Sequence, residues 1–264
     1  MDITRRFNVH RSGVLGAQPM VFAHGFGCDQ NMWRSTAPAF ADRFDVVLFD
    51  HAGSRSNPGA YDPERHADLA GYADDVVDLV EGLGLSDVVF VGHSVSSMIG
   101  ILAARRAPER FDKLVLVGPS PRYINDDGYV GGFDADDIDE LLDALGSNYL
   151  GWSSAMAPVI MGNADRPELG DELTESFCAT DPVIARQFAE VTFRSDNRAD
   201  LAQVTIPTLV LQCSDDVIAP VSVGRFVADA MPAASLVVLE ATGHCPHMSA
   251  PEATIDAIAC FVDA

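Results

Sequence analysis

The sequence predicts an α/β fold, a mostly parallel, doubly wound sheet with an inserted helical lid. Three observations carry this. Short, almost unbroken apolar runs recur along the chain. Amphipathic helical patterns lie between them. One long stretch, from Pro121 to about Arg198, shows helical patterns and no strand.

The apolar runs are Met20 to Ala23, Val46 to Phe49, Val88 to Val91, Leu114 to Val117, Thr208 to Gln212 and Leu236 to Leu239. Their Val, Leu and Phe content is that of strands buried on both faces beneath helices. Between the second and third, Leu69, Tyr72, Ala73, Val76, Val77, Val80 and Leu83 recur at three- and four-residue steps and line one helical face. Gly84 stands where a C-cap would end that helix. Ser94 to Arg106 reads as the next helix, closed by Pro108, and Val221 to Met231 and Ala253 to Val262 read as the last two.

Within the strandless stretch, helical patterns cover Ile138 to Leu145, Leu150 to Ile160, Leu173 to Phe177 and Pro182 to Phe193. The insertion is too long for a loop. It reads as a lid over the C-terminal ends of the strands, where open α/β sheets bind their ligands. The expected division is 1–120 and 199–264 for two parts of one core, and 121–198 for a four-helix lid. The acidic run Asp134 to Asp143 reads as the solvated face and first turn of a lid helix, where carboxylates suit the helix dipole.

With 264 residues, nearly half of them hydrophobic, the chain suits one large domain with an inserted subdomain. Its 39 acidic residues against 17 basic give a formal net charge of −22. So acidic a surface repels phosphate backbones and anionic headgroups, which argues against nucleic acid and membrane surfaces as partners. The five cysteines are odd in number and form no ladder, which reads as free thiols in a reducing compartment. Met1 to Phe7 is charged and lacks the apolar run of a secretory signal. No window approaches the roughly 18 continuous apolar residues of a membrane span. A cytoplasmic location is expected.

The chemistry centres on Val88-Val89-Phe90-Val91-Gly92-His93-Ser94-Val95-Ser96. A buried strand runs into a small-x-Ser-x-small turn and then a helix, the context of a nucleophile elbow. Such a turn exposes the Ser94 hydroxyl and places the Val95 amide at a helix N-terminus, ready to bind an oxyanion. A serine needs a base, and the base needs an orienting carboxylate. After the strand ending at Gln212, Asp215 and Asp216 compete for that role, and Asp216, four residues before Pro220, has the favoured spacing. The loop Gly118-Pro119-Ser120 offers no carboxylate. After the last strand, Gly243-His244 supplies the base, while His247 and His93 read as structural. Cys245 and its neighbouring histidines match no zinc spacing, so no metal and no cofactor is expected. The second oxyanion donor belongs in His24-Gly25-Phe26-Gly27, as the amide of Phe26, with its ring at the cavity wall. Tyr123, Phe133, Trp152, Met156, Phe177, Phe188 and Phe193 cluster in the lid segment and suggest an apolar cavity with few charges.

The stretches Phe26-Gly27-Cys28-Asp29-Gln30, Val91-Gly92-His93-Ser94-Val95, Val117-Gly118-Pro119-Ser120-Pro121, Asp181 to Phe188 and Gly243 to Ser249 together resemble the RsbQ-like subfamily of α/β-hydrolases. That subfamily takes in a bacterial stress-response regulator and the plant karrikin and strigolactone receptors. The resemblance spans nearly the whole chain, lid included. It implies a Ser94–Asp216–His244 triad, oxyanion donors at Phe26 and Val95, and pocket-lining aromatics at Phe133, Trp152 and Phe193. It also implies a small neutral hydrophobic ligand and a regulatory phosphatase as partner. Two departures stand out. Ser96 takes the second small position of the elbow, usually glycine. The stretch Asp50-His51-Ala52-Gly53-Ser54-Arg55-Ser56 reorders the glycines of a loop near the site.

Three functions follow from these residues. One is a hydrolase of small, uncharged esters or lactones. Another is a signalling protein that binds or slowly hydrolyses a hydrophobic ligand and then engages the phosphatase. The third is a carbon–carbon bond hydrolase of the same fold, which nothing here selects. Epoxide hydrolases and dehalogenases are disfavoured, because they need a carboxylate where Ser94 stands.

Overall fold

The structure, a computed structural model, describes residues 2–264. Met1, the first residue of the stretch read as lacking a secretory signal, lies outside them. The strands are β1 (His10–Gly13), β2 (Pro19–Ala23), β3 (Asp45–Leu48), β4 (Val88–His93), β5 (Phe111–Val117), β6 (Thr208–Asp215) and β7 (Ala234–Thr242). They form one sheet in the order β1-β3-β2-β4-β5-β6-β7. Every neighbouring pair is parallel except β1 with β3.

The central strands are buried on both faces, as their unbroken apolar runs require. The two-residue period divides them between two cores. Met20, Phe22, Val89, Val91, Val115 and Val117 face one cluster, which also contains the lid aromatics. Val21, Ala23, Val88, Phe90, Leu114 and Leu116 face the other. The edges differ. β1 is exposed at all four positions and polar, so it gave no apolar signal to read. β7, grouped with the buried strands on its sequence, is the opposite edge and is largely exposed or half-buried.

Before the insertion come α1 (Ile3–Arg6), α2 (Leu69–Gly82) and α3 (Val95–Arg106). The Asp68 side chain caps α2 by accepting from the amides of Ala70 and Gly71. The insertion holds α4 (Ala135–Ser147), α5 (Tyr149–Met161), α6 (Pro167–Cys178) and α7 (Pro182–Phe193). Asp134 and Asp137 form the capping box of α4, and the other acidic residues of that run, Asp136, Asp139, Glu140 and Asp143, are exposed. α6 begins well before its expected start at Leu173, because Pro167 opens a polar first turn that carries no apolar stripe. After the insertion come α8 (Arg198–Leu201), α9 (Val221–Ala230), α10 (Pro246–Ser249) and α11 (Pro251–Val262). Among the described residues no helix is long and apolar enough to cross a membrane.

Candidate active site

β4 delivers Ser94 to the C-terminal edge of the sheet, and α3 begins at the next residue. Ser94 has φ +56° and ψ −121°, a conformation that costs a non-glycine residue about 1–3 kcal/mol. Its surroundings impose this. The Ser94 amide donates to the carbonyl of Val117 on β5 at 2.8 Å, and the Ser94 carbonyl accepts from the Ser97 amide at 2.9 Å. Gly92 is obligatory here, since a Cβ on it would lie 2.5 Å from the Ser96 carbonyl oxygen.

Asp216 and His244 reach Ser94 from the loops after β6 and β7. His244 Nδ1 lies 2.7 Å from Asp216 Oδ2, and His244 Nε2 lies 2.8 Å from Ser94 Oγ. A carboxylate only accepts, so Nδ1–H is the donor and Nε2 is left to accept the serine proton. Asp216 also accepts from the amides of Ile218 at 2.8 Å and Ala219 at 3.1 Å, and from Gln212 Nε2 at 3.2 Å. Burial pushes its carboxyl pKa up. The field and hydrogen bond of His244 and the two amides outweigh burial and hold it below the ordinary value. Asp215 is exposed and contributes a backbone carbonyl, accepting from Gly243 at 2.7 Å. Of the two competing aspartates, Asp216 is therefore the one that meets the base.

The His244 backbone is fixed from two sides. Its amide donates to the Ile160 carbonyl of α5 at 2.8 Å. Its carbonyl accepts from His93 Nε2 at 2.9 Å. Gly243 permits the approach to α5: it has φ +89°, and a Cβ there would sit 1.9 Å from the Met161 carbonyl oxygen. Burial and the neighbouring His244 push the His93 pKa down to about 3, so its ring stays neutral. His247 is fully buried against the rings of Trp33 and His93, with centroids at 4.4 and 4.5 Å.

Above Ser94 lies a cavity of about 40 Å³, lined by Phe26, Cys28, His93, Ser94, Tyr123, Ile160, Leu173, Phe177, Thr192, Phe193, Ile218, His244 and Cys245. No Lys, Arg, Asp or Glu is among the lining residues. The Phe26 ring is its hub, with centroids 5.7 to 6.3 Å from those of Trp152, Phe177, Phe188 and Phe193. A wider groove of about 760 Å³ runs along the outer face between α2 and α7. It is lined by groups such as Asp68, Arg186, Glu190 and Arg194, includes none of Ser94, Asp216 and His244, and so is not the reaction chamber.

The alpha/beta hydrolase family profile matches residues 20–257. The chain belongs to the alpha/beta hydrolase family. This hydrolase is 38% identical over 250 residues to the karrikin insensitive 2 receptor CA of Petunia hybrida, covering 93% of each chain. It is 38% identical over 252 residues to a strigolactone esterase of Arabidopsis thaliana, covering 95% of this chain and 94% of that one. A solved structure of a hydrolase from Oleispira antarctica matches it with a TM-score of 0.96 at 38% identity, over 99% of this chain and 96% of that one.

The hydrolase's cavity departs from the expected lining in three places. Trp152 is not part of the lining; it packs against two residues that are, with its ring stacked on Phe177 at 6.0 Å and edge-on to Phe26 at 6.3 Å. Phe133 is bonded through its backbone to Tyr123 and Asn125, and Tyr123 takes the cavity position instead. Met156 is half-buried against the core and is not part of the lining. Phe26 and Phe193 do line it. Ile160, Leu173, Thr192 and Ile218 were not singled out, and as ordinary apolar or small residues they carried no signal. Tyr123 belongs to the aromatic cluster that suggests an apolar cavity, though the sequence does not mark it individually as a lining residue. Its position just after Pro121, at the end of the β5 loop, was the available hint.

Proposed function

We propose that this hydrolase cleaves small, neutral, largely apolar esters or lactones, with Ser94 as nucleophile. The observation that carries the reading is the continuous Ser94–His244–Asp216 hydrogen-bonded chain, at 2.8 and 2.7 Å, opening into a cavity without charged side chains. Ser94 Oγ attacks the carbonyl carbon while His244 Nε2 takes the serine proton. Asp216 holds the imidazolium in place. The amides of Phe26 and Val95 stabilise the tetrahedral oxyanion, each worth about 10²–10³ in rate at comparable sites. Val95, as the first residue of α3, has no intrahelical acceptor for its amide. Collapse returns the proton to the leaving alkoxide, and water then attacks the acyl-enzyme by the same route in reverse.

The cavity is far smaller than the roughly 300–1,000 Å³ of ordinary ligand sites. The rings of Phe26, Phe177 and Phe193 must therefore shift to admit a substrate. With no cation in the lining, an anionic substrate would pay the full desolvation cost of its charge. The test is a panel of esters and lactones graded in charge and size. Neutral substrates should be turned over and their carboxylate-bearing analogues should not. A clear preference for an anionic acyl group would overturn the reading.

A signalling role, with a regulatory phosphatase as partner and the cytoplasm as location, is a further part of the proposal. It is supported by the resemblance of Asp181 to Phe188 and Gly243 to Ser249 to the RsbQ-like subfamily and by the similarity to a karrikin receptor. Co-purification with a phosphatase, lost on exchange of exposed α7 residues such as Val183, would favour it.

A further inference from the structure

The two departures noted in the sequence, Ser96 in the elbow and the reordered loop at residues 50–56, meet in space. The Ser96 side chain is fully buried. Its Oγ lies 2.5 Å from the His24 carbonyl oxygen and 2.7 Å from His51 Nε2. A hydroxyl has one proton and a carbonyl can only accept, so Ser96 donates to His24 and accepts from His51 Nε2–H. His51 is thereby fixed as the Nε2–H tautomer, leaving Nδ1 bare and without a partner among the described residues. Burial first, then the fields of His24 and His66, hold its pKa well below the usual histidine value. The ring stays neutral.

The His51 backbone amide donates in turn to His24 Nε2 at 3.1 Å. His24 Nδ1–H then donates to the Gly25 carbonyl at 2.9 Å. This last bond bears on the oxyanion site. Gly25 C=O and Phe26 N–H belong to one trans peptide, in which the two groups point in opposite directions. Holding the Gly25 oxygen on the side of the His24 ring therefore aims the Phe26 amide the other way. Beyond it, the Gly27 carbonyl accepts from Ser176 Oγ of α6 at 2.9 Å.

We infer that Ser96 and His51 are a positioning pair that acts through His24 to fix the direction of the Phe26 amide and its spacing from the Val95 amide. This rests on the serine-hydrolase reading above. The two oxyanion donors come from separate elements, the loop after β2 and the start of α3. Ser96 is the residue next to Val95, and its bond to the His24 carbonyl joins the two elements directly. A glycine at this position has no hydroxyl with which to make that bond.

The test uses the whole protein with Ser96→Ala, which removes both hydroxyl bonds at nearly constant volume, and His51→Phe, which keeps a ring without a donor. The readouts are kcat and KM on a neutral ester, the affinity for a boronic acid that forms a tetrahedral adduct, and Tm. In either variant kcat should fall about ten- to a hundredfold, part of the effect of deleting an oxyanion donor outright. KM should hold, and boronate affinity should fall by the same factor as kcat/KM. The double variant should be little worse than the worse single one, because the two residues act as a unit. Ser96→Gly serves as a second probe should Ser96→Ala not fold, with the same expected loss. A folded Ser96→Ala or Ser96→Gly protein with wild-type kcat and boronate affinity would overturn the inference. So would a loss confined to KM or to Tm. Absence of Ser94-dependent hydrolysis in the wild type would overturn the functional reading itself, and this inference with it.

Discussion

The floor and the roof of the cavity are built on different principles. The floor comes from the sheet and its loops. There Ser94, His244, Asp216, Ser96, His51 and His24 are each held by directional hydrogen bonds of 2.5 to 3.1 Å. The roof comes from α5, α6 and α7. There Ile160 and Leu173 line the cavity, and Phe177 and Phe193 meet the Phe26 ring through apolar packing. Aromatic pairs of this kind are worth about 0.5–1.5 kcal/mol each beyond their buried area and tolerate rearrangement. Reacting groups must be held to a fraction of an ångström, and hydrogen bonds do that. An apolar roof over a cavity of only about 40 Å³ must yield to admit a substrate, and packing allows that. Floor substitutions should therefore act on kcat, and roof substitutions on size selection.

The largest effect expected is on the floor. Asp216→Asn should cut kcat about 10⁴-fold, because an amide neither stabilises the imidazolium nor secures the tautomer. Asp215→Asn, at an exposed side chain whose structural contact is a backbone carbonyl, should stay within about threefold of wild type, as surface substitutions usually do. Steady-state kinetics on one neutral ester checks both. If the two variants exchange behaviour, Asp216 does not serve the base.

Smaller effects are expected on the roof. Phe193→Ala removes a lining ring and should move the preferred ester toward bulkier groups, at a stability cost of about 3–5 kcal/mol. Trp152→Ala acts one layer back, by freeing Phe177 and Phe26, and should shift size preference less. In both, kcat on the smallest neutral ester should change by less than about tenfold, since no group bonded to the reacting atoms is lost. A collapse of kcat in Phe193→Ala with its fold intact would mean that floor and roof are not separable.

The same contrast explains what was legible in the sequence. The elbow and the order of acid and base could be read because their chemistry demands particular residue types at particular points of a strand–turn–helix unit. The spacing of Asp216 from Pro220 was readable for the same reason. Helical periodicity could place the lid but not its rings. Whether Trp152 or Phe177 faces the cavity depends on how the rings pack, a tertiary choice that spacing does not fix. β1 was invisible because an exposed polar edge strand pairs through its backbone, which leaves no mark on side-chain pattern. The Ser96–His51 bond joins residues 45 positions apart, and the sequence shows only that each is unusual alone.

The most direct test of the central claim is to trap the nucleophile. Wild type and Ser94→Ala would be treated with a fluorophosphonate, and the adduct located by peptide mass spectrometry. In parallel, hydrolysis of a neutral ester would be followed in both. The account expects one stoichiometric adduct on Ser94, none in Ser94→Ala, and a loss of hydrolysis on the order of 10⁴-fold or more in the variant. An adduct on another residue, or substantial hydrolysis by pure Ser94→Ala, would contradict it.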